Sequence, residues 1–260
     1  MRRKKIGLAL SGGGARGFSH VGVLQVLVEN KIPVDIVAGT SAGSIAGGAF
    51  ASGMSVDQIV AFANDVGYTN MMRPALGFGG LMSNAPMGTF IRKRFPAKRF
   101  EEMPTPFAAV AFDLGNSEKV ILKEKGDLVT AIRASCAVPG IFAPVRDEKG
   151  RMLVDGGVLS PMPADITRSM GADVVIAVDL IGCGATYRTS SLTSIGIIIQ
   201  SALASLRLSA LNEGTHADIV IQPQIAHLRP DQIGKRDEFI ELGRQAALQH
   251  IETIKKVIAA

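Results

Sequence analysis

The run Gly39-Thr40-Ser41-Ala42-Gly43 has the form G-x-S-x-G. A serine with glycines two positions away on each side can stand in a strained turn, its hydroxyl projecting as a nucleophile. The pattern alone is weak, because a chain of this composition matches it by chance with a probability of roughly 0.2. Its surroundings add weight: a strand pattern precedes it and a helical pattern, about Ala42 to Ser52, follows. The same serine could instead be an N-cap, worth about 1 kcal/mol to that helix. A serine nucleophile needs a base, and the chain has four histidines, His20, His216, His227 and His250. None stands in a turn of small residues at a strand end. His216 is the best of them for a conventional triad, whereas His20 is better suited to orienting the glycine run before it. An aspartate suits the role better. Asp155-Gly156-Gly157 follows the strand pattern Met152-Leu153-Val154, and a carboxylate shielded from water becomes basic enough to take a hydroxyl proton. Asp-Gly is also ordinary turn chemistry.

A third run, Gly12-Gly13-Gly14-Ala15-Arg16-Gly17, lies between a strand and a helix pattern and contains G-x-G-x-x-G. A dinucleotide site would need an acidic residue at the carboxyl end of the second strand. Asp35 has the right separation but stands at the amino end of that strand, before Ile36-Val37-Ala38, and no acidic residue follows the strand. The run suits another use. Backbone N–H groups at a helix N-terminus attract an anion, and an acyl-transfer oxyanion is one. Arg16 adds a positive charge. A tight turn with close helix packing is the plainer alternative.

Elements that could position these residues alternate along the chain. Ile6–Leu10 reads as a buried strand, and Val21, Leu24, Leu27 and Val28 share one helical face. Asp35–Ala38 reads as a second strand. Such strand–turn–helix units predict a layered α/β fold with parallel strands. Further strands are expected at Phe107–Phe112, Lys119–Leu122, Asp173–Leu180 and Ile219–Gln222. Helices are expected near Asp57–Val66, Asp127–Cys136, 191–213 and Asp237–Val257. Residues 142–154 read as a hairpin turning at Asp147–Gly150. All three glycine-flanked motifs then fall at carboxyl ends of strands in one parallel sheet, where an open α/β fold carries its site. The stretch 191–211 is apolar on most faces, which fits either deep burial or an interface. Met71, Met72, Met82 and Met87 stand among glycines and phenylalanines. They suit either a connecting loop with core anchors or an adaptable acyl-binding wall over 71–95.

Composition sets outer limits. Hydrophobic residues make up 47% and charged residues 20%, which excludes a disordered chain or a coiled coil. The formal charge of +5 is too small to argue for nucleic acid. It is compatible with peripheral contact at an anionic membrane through the basic run Arg92, Lys93, Arg94, Lys98 and Arg99, although a solvated face is the default for such a run. Cys136 and Cys183 are far apart with no histidine cluster, predicting a reducing, cytoplasmic setting and no structural zinc. Arg2–Lys5 is basic, but the apolar run after it is too short for a secretory signal. The uncharged stretches 36–54 and 191–206 are broken by small and hydroxyl residues, so neither is expected to span a membrane. No linker or internal repeat divides the chain, and residues 1–260 read as one domain.

Together G-G-G-A-R-G at Gly12–Gly17, G-T-S-A-G at Gly39–Gly43 and D-G-G at Asp155–Gly157 resemble the patatin-like phospholipases. The likeness is to the bacterial branch related to neuropathy target esterase. It extends through A-I-R-A-S-C-A-V-P-G-I-F-A-P-V at Ala131–Val145 and M-G-A-D-V-V-I-A-V-D-L at Met170–Leu180. One departure is Ser160, where the family usually has asparagine. The resemblance implies a three-layer α/β/α fold with a central, mostly parallel sheet. It implies a Ser41–Asp155 dyad, an oxyanion hole formed by Gly12, Gly13, Gly14 and Ala15 with Arg16 in support, and no metal or organic cofactor. The implied substrates are phospholipids, lysophospholipids and simple acyl esters. An acyltransferase on a similar fold would recruit a histidine. A non-catalytic binding protein would not need Ser41 and Asp155 intact.

Overall fold

The computed structural model describes residues 2–75, 80–182 and 205–259. Its strands are β1 (Ile6–Leu10), β2 (Ile36–Thr40), β3 (Arg73–Pro74), β4 (Met82–Ser83), β5 (Phe107–Asp113), β6 (Glu118–Lys123), β7 (Val145–Arg146), β8 (Met152–Asp155), β9 (Val174–Val178) and β10 (Ile219–Ile221). Its helices are α1 (Phe18–Glu29), α2 (Ala42–Ala51), α3 (Val56–Asn64), α4 (Tyr68–Met71), α5 (Ala85–Arg94), α6 (Leu128–Ser135), α7 (Ala164–Ser169), α8 (residues 205–214) and α9 (Arg236–Ala259). The helix expected at 191–213 lies outside the described residues up to position 204.

An eight-stranded sheet runs in the order β10-β9-β1-β2-β5-β8-β7, with β6 also paired to β5; β3 and β4 form a separate ribbon. The five strands from β10 to β5 are parallel. β1 and β9 are continuous apolar runs, and β2 is buried along its whole length, because both faces of these strands are covered. Successive side chains point to opposite faces. Ile6, Leu8, Leu10, Val37, Val174, Ile176 and Val178 therefore enter the large core shared with α1, α2, α6 and α9. Ala9, Ala38, Val175 and Ala177 pack on the other face, against the layer containing α7. This is the expected three-layer, mostly parallel arrangement. None of the described helices is long and apolar enough to cross a membrane.

One strand departs from the parallel sheet expected around the site. β8, which carries Asp155, runs antiparallel to β5. β6 occupies one edge of β5 from Ala108 to Asp113. On the other edge β2 pairs as far as Val110, and β8 begins its pairing at Ala111. The two strands therefore approach each other end to end along the same edge of β5. The carboxyl end of β8 meets the carboxyl end of β2, so Asp155 reaches the level of Ser41 from the opposite direction.

Candidate active site

Ser41 is the first residue after β2 and has φ 52° and ψ −124°. A non-glycine residue there stores on the order of 1–3 kcal/mol of backbone strain, which surrounding contacts must hold. The Ser41 N–H donates to Ser135 Oγ at 2.9 Å. The Ser41 carbonyl accepts from the N–H of Ser44 at 2.8 Å and from its Oγ at 2.7 Å. The two flanking glycines are steric necessities. A Cβ on Gly39 would stand 2.4 Å from the Gly43 carbonyl oxygen, and one on Gly43 would stand 2.1 Å from that of Leu10. Ser41 occupies the N-cap position of α2 but makes no capping bond through its side chain. Its hydroxyl is therefore not used by the helix.

The Asp155 side chain is buried. Its Oδ1 accepts from the Gly157 N–H at 2.8 Å, so the expected Asp-Gly turn is formed as well. Burial pushes the carboxyl pKa up to about 6, while hydrogen bonding by the Ser41 side chain and the Gly157 N–H holds the rise down. The Asp155 N–H donates to Ala137 O at 2.9 Å, tying the end of β8 to the segment after α6. The Cys136 thiol lies 3.7 Å from Ser44 Oγ, and burial raises its pKa far above the usual thiol range. It is a neutral, unreactive neighbour.

The glycine run leaves β1 and passes over Ser41; a Cβ on Gly12 would lie 3.3 Å from that of Ser41. The expected oxyanion donors divide into two groups. The Gly12 N–H donates to Pro161 O at 3.0 Å, the Arg16 N–H to Gly13 O at 3.2 Å and the Ala15 N–H to Pro230 O at 2.7 Å. Among the described residues, the N–H groups of Gly13 and Gly14 have no acceptor. Gly14 has φ +59° and faces Pro230, whose carbonyl oxygen would be 2.6 Å from a Cβ at that position. The Arg16 guanidinium is buried and donates from Nε and Nη2 to Leu228 O, at 3.0 and 2.7 Å, and from Nη1 to Leu180 O at 3.3 Å. It fastens the loop to the chain on either side.

A family model described as patatin-like phospholipase matches residues 8–168. The chain belongs to the patatin-like phospholipase family. A protein of Mycobacterium tuberculosis named as an NTE family protein is 36% identical over 181 residues, which are 68% of this chain and 49% of that one. The human patatin-like phospholipase domain-containing protein 6 is 37% identical over 182 residues, 67% of this chain and 13% of its own. This patatin-like chain thus spans about half the length of the mycobacterial relative and a smaller share of the human one. The crystal structure of VipD from Legionella pneumophila shares the fold at a TM-score of 0.57 and 15% identity, over 97% of this chain and 67% of that one.

The other residues singled out by sequence lie around this patatin-like core. His20 is fully buried and bonds Ser11 O through Nε2 at 2.8 Å, at the root of the glycine loop. Burial drops its pKa to about 4, so the ring is neutral at pH 7. His216 is exposed on the turn after α8, His227 pairs with Glu238, and His250 bonds the Ala246 carbonyl within α9. No hydrogen bond joins any of the four to Ser41 or Asp155 among the described residues. Met71, Met87, Phe90 and Phe95 are core residues, and Met72 and Met82 pack half-buried around Phe142. This is the core-anchor alternative, favoured because flexible methionines fill the irregular space between α4, α5 and the sheet. In the basic run, Arg92 pairs with Asp127, Arg99 with Glu101, and Arg94 with Asp65 while stacking over Phe90. Ser135 carried no motif of its own. Its only signal was its position inside the A-S-C segment of the long stretch of family likeness.

Proposed function

We propose that this chain hydrolyses carboxylic ester bonds of phospholipids, lysophospholipids or related lipid esters through a Ser41–Asp155 dyad. The observation that carries this reading is the meeting of β2 and β8, which sets a strained serine against a buried carboxylate. Ser41 Oγ attacks the ester carbonyl carbon while Asp155 takes its proton. The oxygen that becomes negative is held by the N–H groups of Gly13 and Gly14 at the head of the loop. Collapse expels the alcohol, which leaves with the proton from Asp155, and the acyl group stays on Ser41. Water then attacks the acyl-serine and gives its proton to Asp155. The second collapse frees the fatty acid and returns that proton to Ser41.

Fluorophosphonate labelling of the purified protein, with the modified peptide located by mass spectrometry, tests the nucleophile. A single adduct on Ser41 is the expected result. A folded sample with no adduct, or with one elsewhere, would overturn the assignment.

Asp155 works only as the carboxylate, and its proton comes off near pH 6. Activity on a soluble ester should therefore rise with pH up to about 7 and fall about tenfold per unit below about pH 5. A kcat/KM profile flat between pH 4 and 7 would count against Asp155 as the base.

A further inference from the structure

The turn at Ser160–Met162 joins four parts of the molecule. Ser160 N–H donates to Gly156 O at 2.9 Å, which ties the turn to the Asp155 loop. Thr40, one residue before Ser41, donates through Oγ1 to Ser160 O at 2.7 Å. Gly12, one residue before the two open N–H groups, donates to Pro161 O at 3.0 Å. From α8, Glu213 supplies a carboxylate with one oxygen for each remaining donor. Oε1 accepts from the Ser160 hydroxyl, and Oε2 accepts from the Met162 N–H at 2.7 Å. Ser160, Met162 and Glu213 are all buried.

We propose that Glu213 is a positioning residue for the active site: its carboxylate holds the Ser160–Met162 turn in the register to which both the nucleophile strand and the oxyanion loop are hydrogen-bonded. The inference rests on the reading of Ser41 as nucleophile. A serine hydroxyl is short, and at position 160 it reaches its neighbour element only because α8 brings an acceptor to it. A carboxylate is the group that can accept from the hydroxyl and the N–H together. An amide in its place would turn an N–H toward one of the two donors, leaving a buried clash of donors. Burial raises the Glu213 pKa to about 7; hydrogen bonds from Ser160 and Met162 oppose the rise, Asp165 of α7 adds to it and Lys119 of β6 opposes it. Lys119 and Asp165 are themselves paired at 3.0 Å. The group is predominantly ionised at pH 8, the pH for the test.

The experiment compares wild type, Glu213→Gln, Ser160→Ala and the double variant on a soluble aryl ester. The full chain is used, with functional Ser41 counted by fluorophosphonate and folding followed by Tm. Each single variant should lower kcat per labelled serine by about tenfold to hundredfold while KM moves less than about twofold. The double variant should be no worse than the poorer single, because both changes cut one link. A purely structural bond would lower Tm and the labelled fraction but leave kcat per labelled serine unchanged, and that result would overturn the inference. Ser160→Ala loses only a hydroxyl, so it decides the matter if Glu213→Gln does not fold. A wild type that neither labels nor hydrolyses would remove the dyad reading and this inference with it. An active wild type with unaffected variants removes this inference alone.

Discussion

Replacing Ser41 by Ala, or Asp155 by Asn, is expected to lower kcat on an ester substrate by about 10⁴-fold or more, and the double variant should be little worse than either single. Residues that act as one unit lose their joint contribution when either is removed. In the proposed mechanism the Ser41 proton has no acceptor without the Asp155 carboxylate, and no acyl-enzyme forms without Ser41. The asparagine variant carries a second, opposite signature in stability. The folded-state pKa of Asp155 is raised from the usual 3.8 to about 6. The native protein therefore holds a proton that the unfolded chain releases, and wild-type stability falls as pH rises through that window. At pH 7 the full penalty of the buried charge is present, and asparagine does not pay it. Asp155→Asn should be more stable than wild type by about 1–3 kcal/mol at pH 7, with the difference fading below about pH 4. Urea unfolding at both pH values, beside the kinetics, checks the pair of effects. A less active but equally stable variant would mean that Asp155 is not held as a desolvated carboxylate. A more stable but fully active one would mean that another group takes the proton.

Gly43→Ala should be among the most destabilising single substitutions in the chain. The added Cβ would stand 2.1 Å from Leu10 O and 2.7 Å from Ser11 O. Both obstacles are backbone, so no side chain can turn aside. Relief requires α2 to lift from the end of β1, which moves the Ser41 turn and the glycine loop apart. Overpacking against main chain falls in the severe class, on the order of 4 kcal/mol or more. In a chain of this size that corresponds to a fall in Tm of roughly 10 °C or more. Gly67→Ala is the control: a Cβ there meets nothing within 4 Å, and the backbone is extended. Its Tm should stay within about 2 °C of wild type. If thermal scans show the two variants behaving alike, the close approach of α2 to β1 is not a tight constraint.

Much of the site was legible because its signals are local. The strand, the G-x-S-x-G turn and the helix after it span only about 16 residues, Ile36 to Ala51. Gly39 and Gly43 stand where the chain contacts itself, so composition records the turn. The glycine run at Gly12–Gly17 is local in the same way, and so is Asp155 with its turn at Gly157. Buried strands announce themselves as unbroken apolar runs, and Ile6–Leu10 and Val174–Val178 did so. The methionine stretch was ambiguous for a physical reason: a flexible apolar side chain suits a core gap and a ligand wall equally well.

What these residue types and spacings determined by themselves was the α/β layering and a serine, an aspartate and a glycine loop as one set of candidates; the family followed from the resemblance those motifs carry. The tertiary structure decided how they meet. β8 could have lain parallel, as its glycine-ended pattern suggested; it runs antiparallel, on the edge of β5 that lies beyond the end of β2. Only then do Ser41 and Asp155 converge, and only burial gives that carboxylate its raised pKa. The fate of the loop donors was equally hidden. Ala15 gives its N–H to Pro230 O, more than two hundred residues away in the chain, leaving Gly13 and Gly14 open. Ser160 finds Glu213 across a gap of 53 residues. These are contacts between distant segments, set by hydrogen-bonding geometry and desolvation, and no local pattern encodes them.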